Sequence, residues 1–463
     1  MRLIAMIVVP VLVAGCTDVN VPFRSLEIEL PDRYSRMAPV QAPSQEDVEW
    51  WRNFEDPILD QLIAQGLRSN LSVAQAETRI LEAAAEARRA GVALSGSATG
   101  DYRGNTNGSD QFDAGLSAQL NLAGETRYQA RAATDRLEAA MFDKVEARRT
   151  VLSEIGRAYV DLRFFQRSWQ LRMRDLDSRR RTLNDIKTQL DAGQATRLDL
   201  MRAQSLLAET RAAIPQVEAS VVQTRNRLST LLGAPVGTLA LDLGYPGAQP
   251  VPHLAADTGV PADLLRARPD IRRAEKIYAA ALSDMGAAQA ARYPSLRLSG
   301  LISTPFGSGA TTETFLAGLV VPVFEQPALA AAVDATVAQV QQAYLQWRVA
   351  VLRAVEEVEN AQVFLRTALM ARDAAREQVA LDQKSLALSR ELLVSGGGIT
   401  VLDVLDRERA LSASRTALAQ NTRDVSRAYV ALRTALGRGH PILAEEATSG
   451  DNSAAENGDK PDA

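Results

Sequence analysis

An apolar residue at every seventh position, kept up for many turns, is the feature that most restricts this chain. Ile155, Leu162, Trp169, Leu176, Leu183 and Leu190 stand seven apart, as do Leu200, Leu207, Ile214, Val221 and Leu228. A second pair of runs obeys the same rule. Val337, Tyr344, Val351, Val358, Leu365, Val379, Leu386 and Leu393 carry it with Arg372 as the one charged member, and Val404, Leu411, Leu418, Val425 and Leu432 follow. A seam of that length demands helices that supercoil against neighbours. Between Glu125 and Gln189 no proline or run of turn residues interrupts it, and roughly 65 helical residues extend about 100 Å. No compact globule accommodates that. Pro215 is expected to kink the returning helix, whereas its counterpart Ala419 is not. Abundant alanine, leucine, arginine and glutamate with only 5% aromatic residues suit such helices.

The two pairs of runs are copies of each other. Gly193-Gln194-Ala195-Thr196-Arg197-Leu198-Asp199-Leu200 matches Gly397-Gly398-Ile399-Thr400-Val401-Leu402-Asp403-Val404 at a shift of 204, and Leu228 and Gly233 fall on Leu432 and Gly437. A shift of 203 carries Glu154-Ile155 onto Glu357-Val358 and Ala114-Gly115-Leu116 onto Ala317-Gly318-Leu319. The chain is a tandem duplication. Each copy reads helix, two short strands, very long helix, sharp turn, long helix. The first copy spans residues 56–233, with helices at 71–90, 124–190 and 197–232 and strands at 92–102 and 111–121. The second spans 263–437, with helices at 270–290, 327–394 and 400–436 and strands at 295–303 and 313–323. Residues 16–55 form a leader, 234–262 a proline- and glycine-rich linker, and 438–463 a polar acidic tail expected to be disordered.

The strands alternate. In the second of them Gln111, Asp113, Ser117, Gln119 and Asn121 are polar, while Phe112, Ala114, Leu116, Ala118 and Leu120 are apolar. A period of two puts one face toward water and the other toward something apolar. About ten residues is what a tilted strand needs to cross an outer membrane. Tyr102, Phe112, Phe306 and Phe315 lie near polar loops, where an aromatic girdle belongs. Ordinary hairpins packed on a soluble core are the plainer alternative. If the strands do span, four of them cannot close. Open edges do not survive in hydrocarbon, so several chains must share one barrel.

The first residues read as a targeting segment, 1–15. Arg2 precedes an apolar run from Leu3 to Val13 that is too short to span a bilayer as a helix. Val13-Ala14-Gly15-Cys16 then resembles a lipobox, in which Cys16 is acylated and becomes the first mature residue. A buried structural cysteine is the alternative. Thr17 follows it rather than the aspartate that retains bacterial lipoproteins in the inner membrane, so the outer membrane is the implied destination. Acyl chains would anchor the protein in outer-membrane lipid without making it span.

Composition narrows the function classes. A net charge of −4, from 52 basic and 56 acidic residues, offers no polyanion-binding surface, so no nucleic-acid partner is expected. The two histidines, His253 and His440, both adjoin proline and read as loop residues. No paired His/Cys spacing suits a metal, and neither a phosphate-binding glycine loop nor a nucleophile elbow occurs. The expectation is a protein with no cofactor and no catalytic residues.

Asp263-Leu264-Leu265-Arg266-Ala267-Arg268-Pro269-Asp270-Ile271-Arg272-Arg273-Ala274-Glu275 resembles the signature of TolC-like outer-membrane efflux factors, and within them the lipoprotein branch serving resistance-nodulation-division pumps. Tyr293-Pro294-Ser295-Leu296, Glu357-Val358-Glu359-Asn360-Ala361 and Ala428-Tyr429-Val430-Ala431-Leu432 fit the same family, and the resemblance runs from about Trp50 to Gly437. Arg89-Ala90-Gly91-Val92 departs from it by lacking a proline before the first strand. The resemblance implies a mainly α protein with a small transmembrane β part. It would be a homotrimer combining a twelve-stranded β-barrel with a long periplasmic α-helical barrel. It would serve as a passive exit duct for small molecules, docked end-on to a periplasmic adaptor and an inner-membrane transporter. A type I secretion duct, or a lipid-tethered coiled-coil scaffold, are the competing readings.

The sharp turns are the candidate sites. Glycine at Gly193, Gly397 and Gly398 permits the positive φ that ends one helix, and Thr196 and Thr400 are placed to cap the next. By resemblance these turns, with Leu198 and Leu402, form the adaptor-contact surface. Asp403 and Asp406 stand three apart on one helix face, and Thr400 to Asp406 resembles the stretch that carries the paired gate aspartates of the family. In a trimer each would form a carboxylate ring at the narrow end of the tunnel. The first copy has Asp199 but Arg202 where the second has Asp406. Two exposed helix acids are the alternative.

Overall fold

The computed structural model describes residues 49–92, 95–104, 110–238, 243–244, 247–253, 268–306, 310–395 and 398–437. Cys16, the leader through residue 48, Gly397, Asp263 to Ala267 of the signature and the tail from 438 lie outside them. In chain order a 3-10 turn (Trp50–Phe54) precedes α1 (Pro57–Ser69) and α2 (Leu71–Ala90). Next come β1 (Ser95–Arg103), β2 (Asp110–Asn121), α3 (Glu125–Asp191) and α4 (Arg197–Leu231). The second copy gives α5 (Pro269–Ala290), β3 (Ser295–Phe306), β4 (Thr312–Val320), α6 (Gln326–Ser395) and α7 (Val401–Ala435). The fold is mainly helical with one sheet.

Three strand ends differ from the periodicity reading by three residues each. β1 starts at Ser95, not at Val92, and β4 ends at Val320 instead of reaching residue 323. Pro322 explains the second difference, because it has no N–H to give to a ladder. In the other direction β3 runs on to Phe306. The helix α4 continues through Pro215.

Two compact units make up the chain, one from residues 76–144 and 269–352, the other from the described parts of 49–75, 145–268 and 353–437. The first contains the sheet, antiparallel throughout, in the order β1-β2-β3-β4. The central pairing joins the two copies: Leu116 lies opposite Gly300 and Asp113 opposite Ser303. In the apolar row Phe112, Leu116 and Leu120 are exposed, while Asp113 on the other face is buried. Asp113 accepts hydrogen bonds from Gln111 (2.6 Å) and Ser303 (2.6 Å), and Arg103 approaches to 3.5 Å. Tyr102, Phe112 and Phe306 share the apolar face at the loop end, the rings of Tyr102 and Phe306 being 5.9 Å apart. Phe315 sits deeper, opposite Gly300. Beyond the sheet, α5 is held to the start of α3 by ion pairs: Arg136 to Asp284, Lys276 to Glu138 (2.5 Å) and Arg273 to Asp143 (2.6 Å). No described helix is long and apolar enough to cross a membrane.

The second unit holds the main core. Trp50, Phe54, Leu59, Leu62, Ile63, Ile155, Tyr159, Leu162, Leu228, Tyr429 and Val430 are all buried. Asp56 caps α1, accepting from the amide of Ile58 at 3.0 Å, with Pro57 in the first turn where a missing N–H costs nothing. Gly66 leaves room for Ile155, whose side chain a Cβ there would strike. The family motifs meet in this unit. Arg268, 1% exposed, donates to the Ala435 carbonyl (2.6 Å) and to Glu357 (2.7 Å), while Tyr429 donates to the Trp50 carbonyl. Motifs far apart in sequence thus tie the end of α7 to α6 and to the beginning of the fold.

Candidate functional site: the helix tips

Each copy turns back on itself through a short loop. After α3, Gly193 adopts φ +74°, its amide donates to Leu190 (3.0 Å), and Gln194 N–H reaches Gln189 O (2.8 Å). These bonds satisfy carbonyls that the end of a helix leaves open. Gly398 holds the same left-handed conformation, φ +77°, before α7. Thr196 and Thr400 then form full capping boxes. Thr196 Oγ1 accepts from the Asp199 amide (3.2 Å) while the Thr196 amide donates to the Asp199 carboxylate (3.1 Å). The same bonds at Thr400 and Asp403 measure 3.3 and 2.8 Å. Each threonine hydroxyl also donates to its aspartate at 2.6 Å.

Asp403 therefore already has work within its own chain. The Thr400 hydroxyl and amide hold its carboxyl below the usual carboxylate range, and Asp199 is lowered by the equivalent bonds from Thr196. Asp406 differs. It is exposed, one turn along, and pairs with Arg409 at 3.2 Å. Arg202, its opposite number in the first copy, reaches Asp199 at 3.6 Å. Leu198 is 58% exposed and Leu402 36% exposed, so each tip shows an apolar side chain to its surroundings. Behind them the interior is packed. Leu176, Leu183, Ile186, Ala203, Leu206, Leu207, Val401 and Leu405 form one cluster. Val379, Leu386, Val404 and Leu411 form another.

One arrangement escaped the periodicity reading. Buried among these clusters, Glu408 of α7 accepts from Thr182 (2.7 Å) and Arg390 (2.5 Å), while Asp175 accepts from Ser412 (2.5 Å) and Arg179 donates to the Leu206 carbonyl (3.1 Å). The available signal was an acid on the row Val401, Leu405, Glu408, Ser412, Ala419, which a count of one seam per helix overlooks. Among the described residues no group of His, Cys, Asp and Glu is arranged to hold a metal ion.

Comparison with known proteins agrees with this architecture. A family model described as outer membrane efflux protein matches residues 62–234 and again 260–438, once for each copy. Nodulation protein T of Rhizobium leguminosarum bv. trifolii is 32% identical over 453 residues, covering 94% of this chain and 97% of that protein. The pyoverdine export outer membrane protein OpmQ of Pseudomonas aeruginosa is 27% identical, covering 95% and 97% respectively. Among solved structures, the outer-membrane channel OprN superposes with a TM-score of 0.80 at 27% identity, covering 91% of this chain and 98% of that one. The duplicated chain therefore belongs to the outer membrane efflux protein family, and it is an efflux channel of the outer membrane.

Proposed function

We propose that three copies of the chain assemble into the exit duct of a tripartite efflux system, anchored by acylation at Cys16. The duct takes small molecules delivered by an inner-membrane transporter of the resistance-nodulation-division class through a periplasmic adaptor. One observation carries the reading: the sheet ends in two strands, β1 and β4, whose outer edges have no partner among the described residues. In hydrocarbon an unpaired edge costs several kcal/mol per backbone group, so the sheet closes only by joining other copies. An exposed stripe along α6 supports the same assembly. Within the second unit Val363, Met370, Leu381 and Leu388 are all exposed. They recur at alternating steps of seven and eleven, which keeps them on one side of a straight helix.

The tips are the gate and the docking surface in this reading. Gly193, Thr196, Leu198, Gly397, Gly398, Thr400 and Leu402 meet the adaptor, and Asp403 and Asp406, repeated about the threefold axis, narrow the opening. Cargo is chosen by the transporter, since a passive tunnel passes what it is given. The test is electrical. Purified protein in planar bilayers is expected to show larger single-channel conductance when Asp403 and Asp406 are both replaced by alanine. Unchanged conductance removes the gate assignment. A purified protein that remains a monomer without pores removes the duct.

A further inference from the structure

We propose that Glu408 is a latch that holds the second-copy hairpin, α6 and α7, against α3, and that the tips part when this carboxylate is released. The proposal rests on the reading of the tips as the closing end of the duct.

The helix α7 carries two seams. Val404 and Leu411 face α6, where they meet Val379 and Leu386. Val401 and Leu405 face α3 and pack with Leu176, Leu183 and Ile186, and further along Ala419 meets Phe164 and Leu171. Glu408 falls in the middle of this second seam, between Leu405 and Ser412, where a coiled coil calls for an apolar side chain. Yet it is only 6% exposed. One of its oxygens, Oε1, collects three donors: Thr182 Oγ1 at 2.7 Å, Ser178 Oγ at 3.3 Å and Arg390 Nη2 at 2.5 Å. The same Arg390 nitrogen lies 3.2 Å from Ser178 Oγ. Two donors belong to α3, one to α6, and the acceptor to α7. Three helices are joined at a single atom.

The arrangement is poor glue and a good switch. A leucine at this position would bind the seam at no cost of desolvation, whereas a buried carboxylate has to be repaid by its partners. The repayment is incomplete, because Oε2 is buried with no hydrogen-bond partner among the described residues. Apolar contacts yield gradually as helices slide, but charged hydrogen bonds are lost over about 1 Å. Once the helices separate, water reaches both oxygens and repays the carboxylate in full. The carboxylate therefore has partners in the closed arrangement and water in the open one, with little between them, which is the property of a two-state element. The first copy has no equivalent: its residue at this place, Gln204, is exposed. Among the described residues the latch belongs to the second-copy tip.

The test compares wild type, Glu408→Gln, Arg390→Gln, the double variant and Asp403→Ala/Asp406→Ala as single channels in planar bilayers, with heat-stable oligomer on gels as the fold control. Glu408→Gln keeps the shape and removes the charge, so the open fraction is expected to rise roughly tenfold. Arg390→Gln should do the same, and the double variant should add little, since both break one latch. If Glu408→Gln assembles and gates like wild type while the aspartate pair opens the channel, the latch is refuted and the gate stands. If the aspartate pair is silent and Glu408→Gln opens the channel, the latch stands and the gate aspartates fall. Should Glu408→Gln fail to assemble, Arg390→Gln decides, because the Arg390 side chain is half-exposed; wild-type gating by that variant overturns the proposal.

Discussion

Replacing Arg268 by methionine separates what the family signature does for the fold from what it offers to solvent. The guanidinium is buried and donates charge-assisted hydrogen bonds to the Ala435 carbonyl in the last turn of α7 and to Glu357. That carbonyl is among the groups a helix end leaves open, where positive charge is also favoured by the helix dipole. Gly437, at φ +70°, packs on the arginine stem, and a Cβ there would lie 2.9 Å from Arg268 Cγ. Methionine keeps much of the stem and deletes these bonds. Losing the bond to the carbonyl and burying it unpaired costs about 2–3 kcal/mol. The Glu357 share is smaller, because that carboxylate is 52% exposed and water takes over, leaving under about 1 kcal/mol. Arg268→Met is thus expected to lose about 3 kcal/mol, and Glu357→Gln less than about 1 kcal/mol. The assay is guanidinium unfolding of the detergent-solubilised protein, followed by circular dichroism at helical wavelengths. Equal losses in the two variants, or no loss in Arg268→Met, would refute the assignment of the signature to the end of α7.

The tips support two further expectations. Thr196→Ala and Thr400→Ala each remove a capping box and should loosen the first turns of α4 and α7 by about 1 kcal/mol, seen as faster amide exchange confined to those turns. Exchange that spreads along the whole hairpin would contradict a local role. The pH dependence follows from Asp199 and Asp403, whose carboxyls are held below their ordinary range by the threonine bonds. A depressed folded value means stability that is present above the unfolded value, about 3.9, and lost as pH falls through the folded one. Intrinsically corrected exchange at the tips should stay flat from pH 7 to about 5 and rise only below about 4; loosening between 7 and 5 would count against the caps.

The features legible in the sequence are those that repeat at short range. Heptads from Ile155 to Leu190 and from Val404 to Leu432 announce long packed helices because burial selects residues at the helical period, and alternation in β2 announces a strand for the same reason. The threonine caps were equally readable, since Thr196 and Thr400 directly follow the turns that end α3 and α6. What stayed hidden depends on partners far along the chain. Arg136 meets Asp284, and Thr182 meets Glu408, across 148 and 226 positions, and no local period connects them. The stop of β4 at Val320 turned on one missing amide, that of Pro322, against an apolar run that looked like more strand. The part Asp403 plays in its cap stayed hidden, where its carboxylate is spent on the Thr400 amide and hydroxyl of its own helix.

The division into compact units runs across the duplication instead of between its copies. Each unit takes stretches from both copies, and the sheet itself is sewn together where β2 meets β3. Neither half of the gene product owns a complete interior. A fragment holding a single copy would have to find a sister before it could fold. Fusion made that partnership permanent, and it freed matching positions to grow unlike, so that an acid could be buried in one arm while an amide stayed in water on the other.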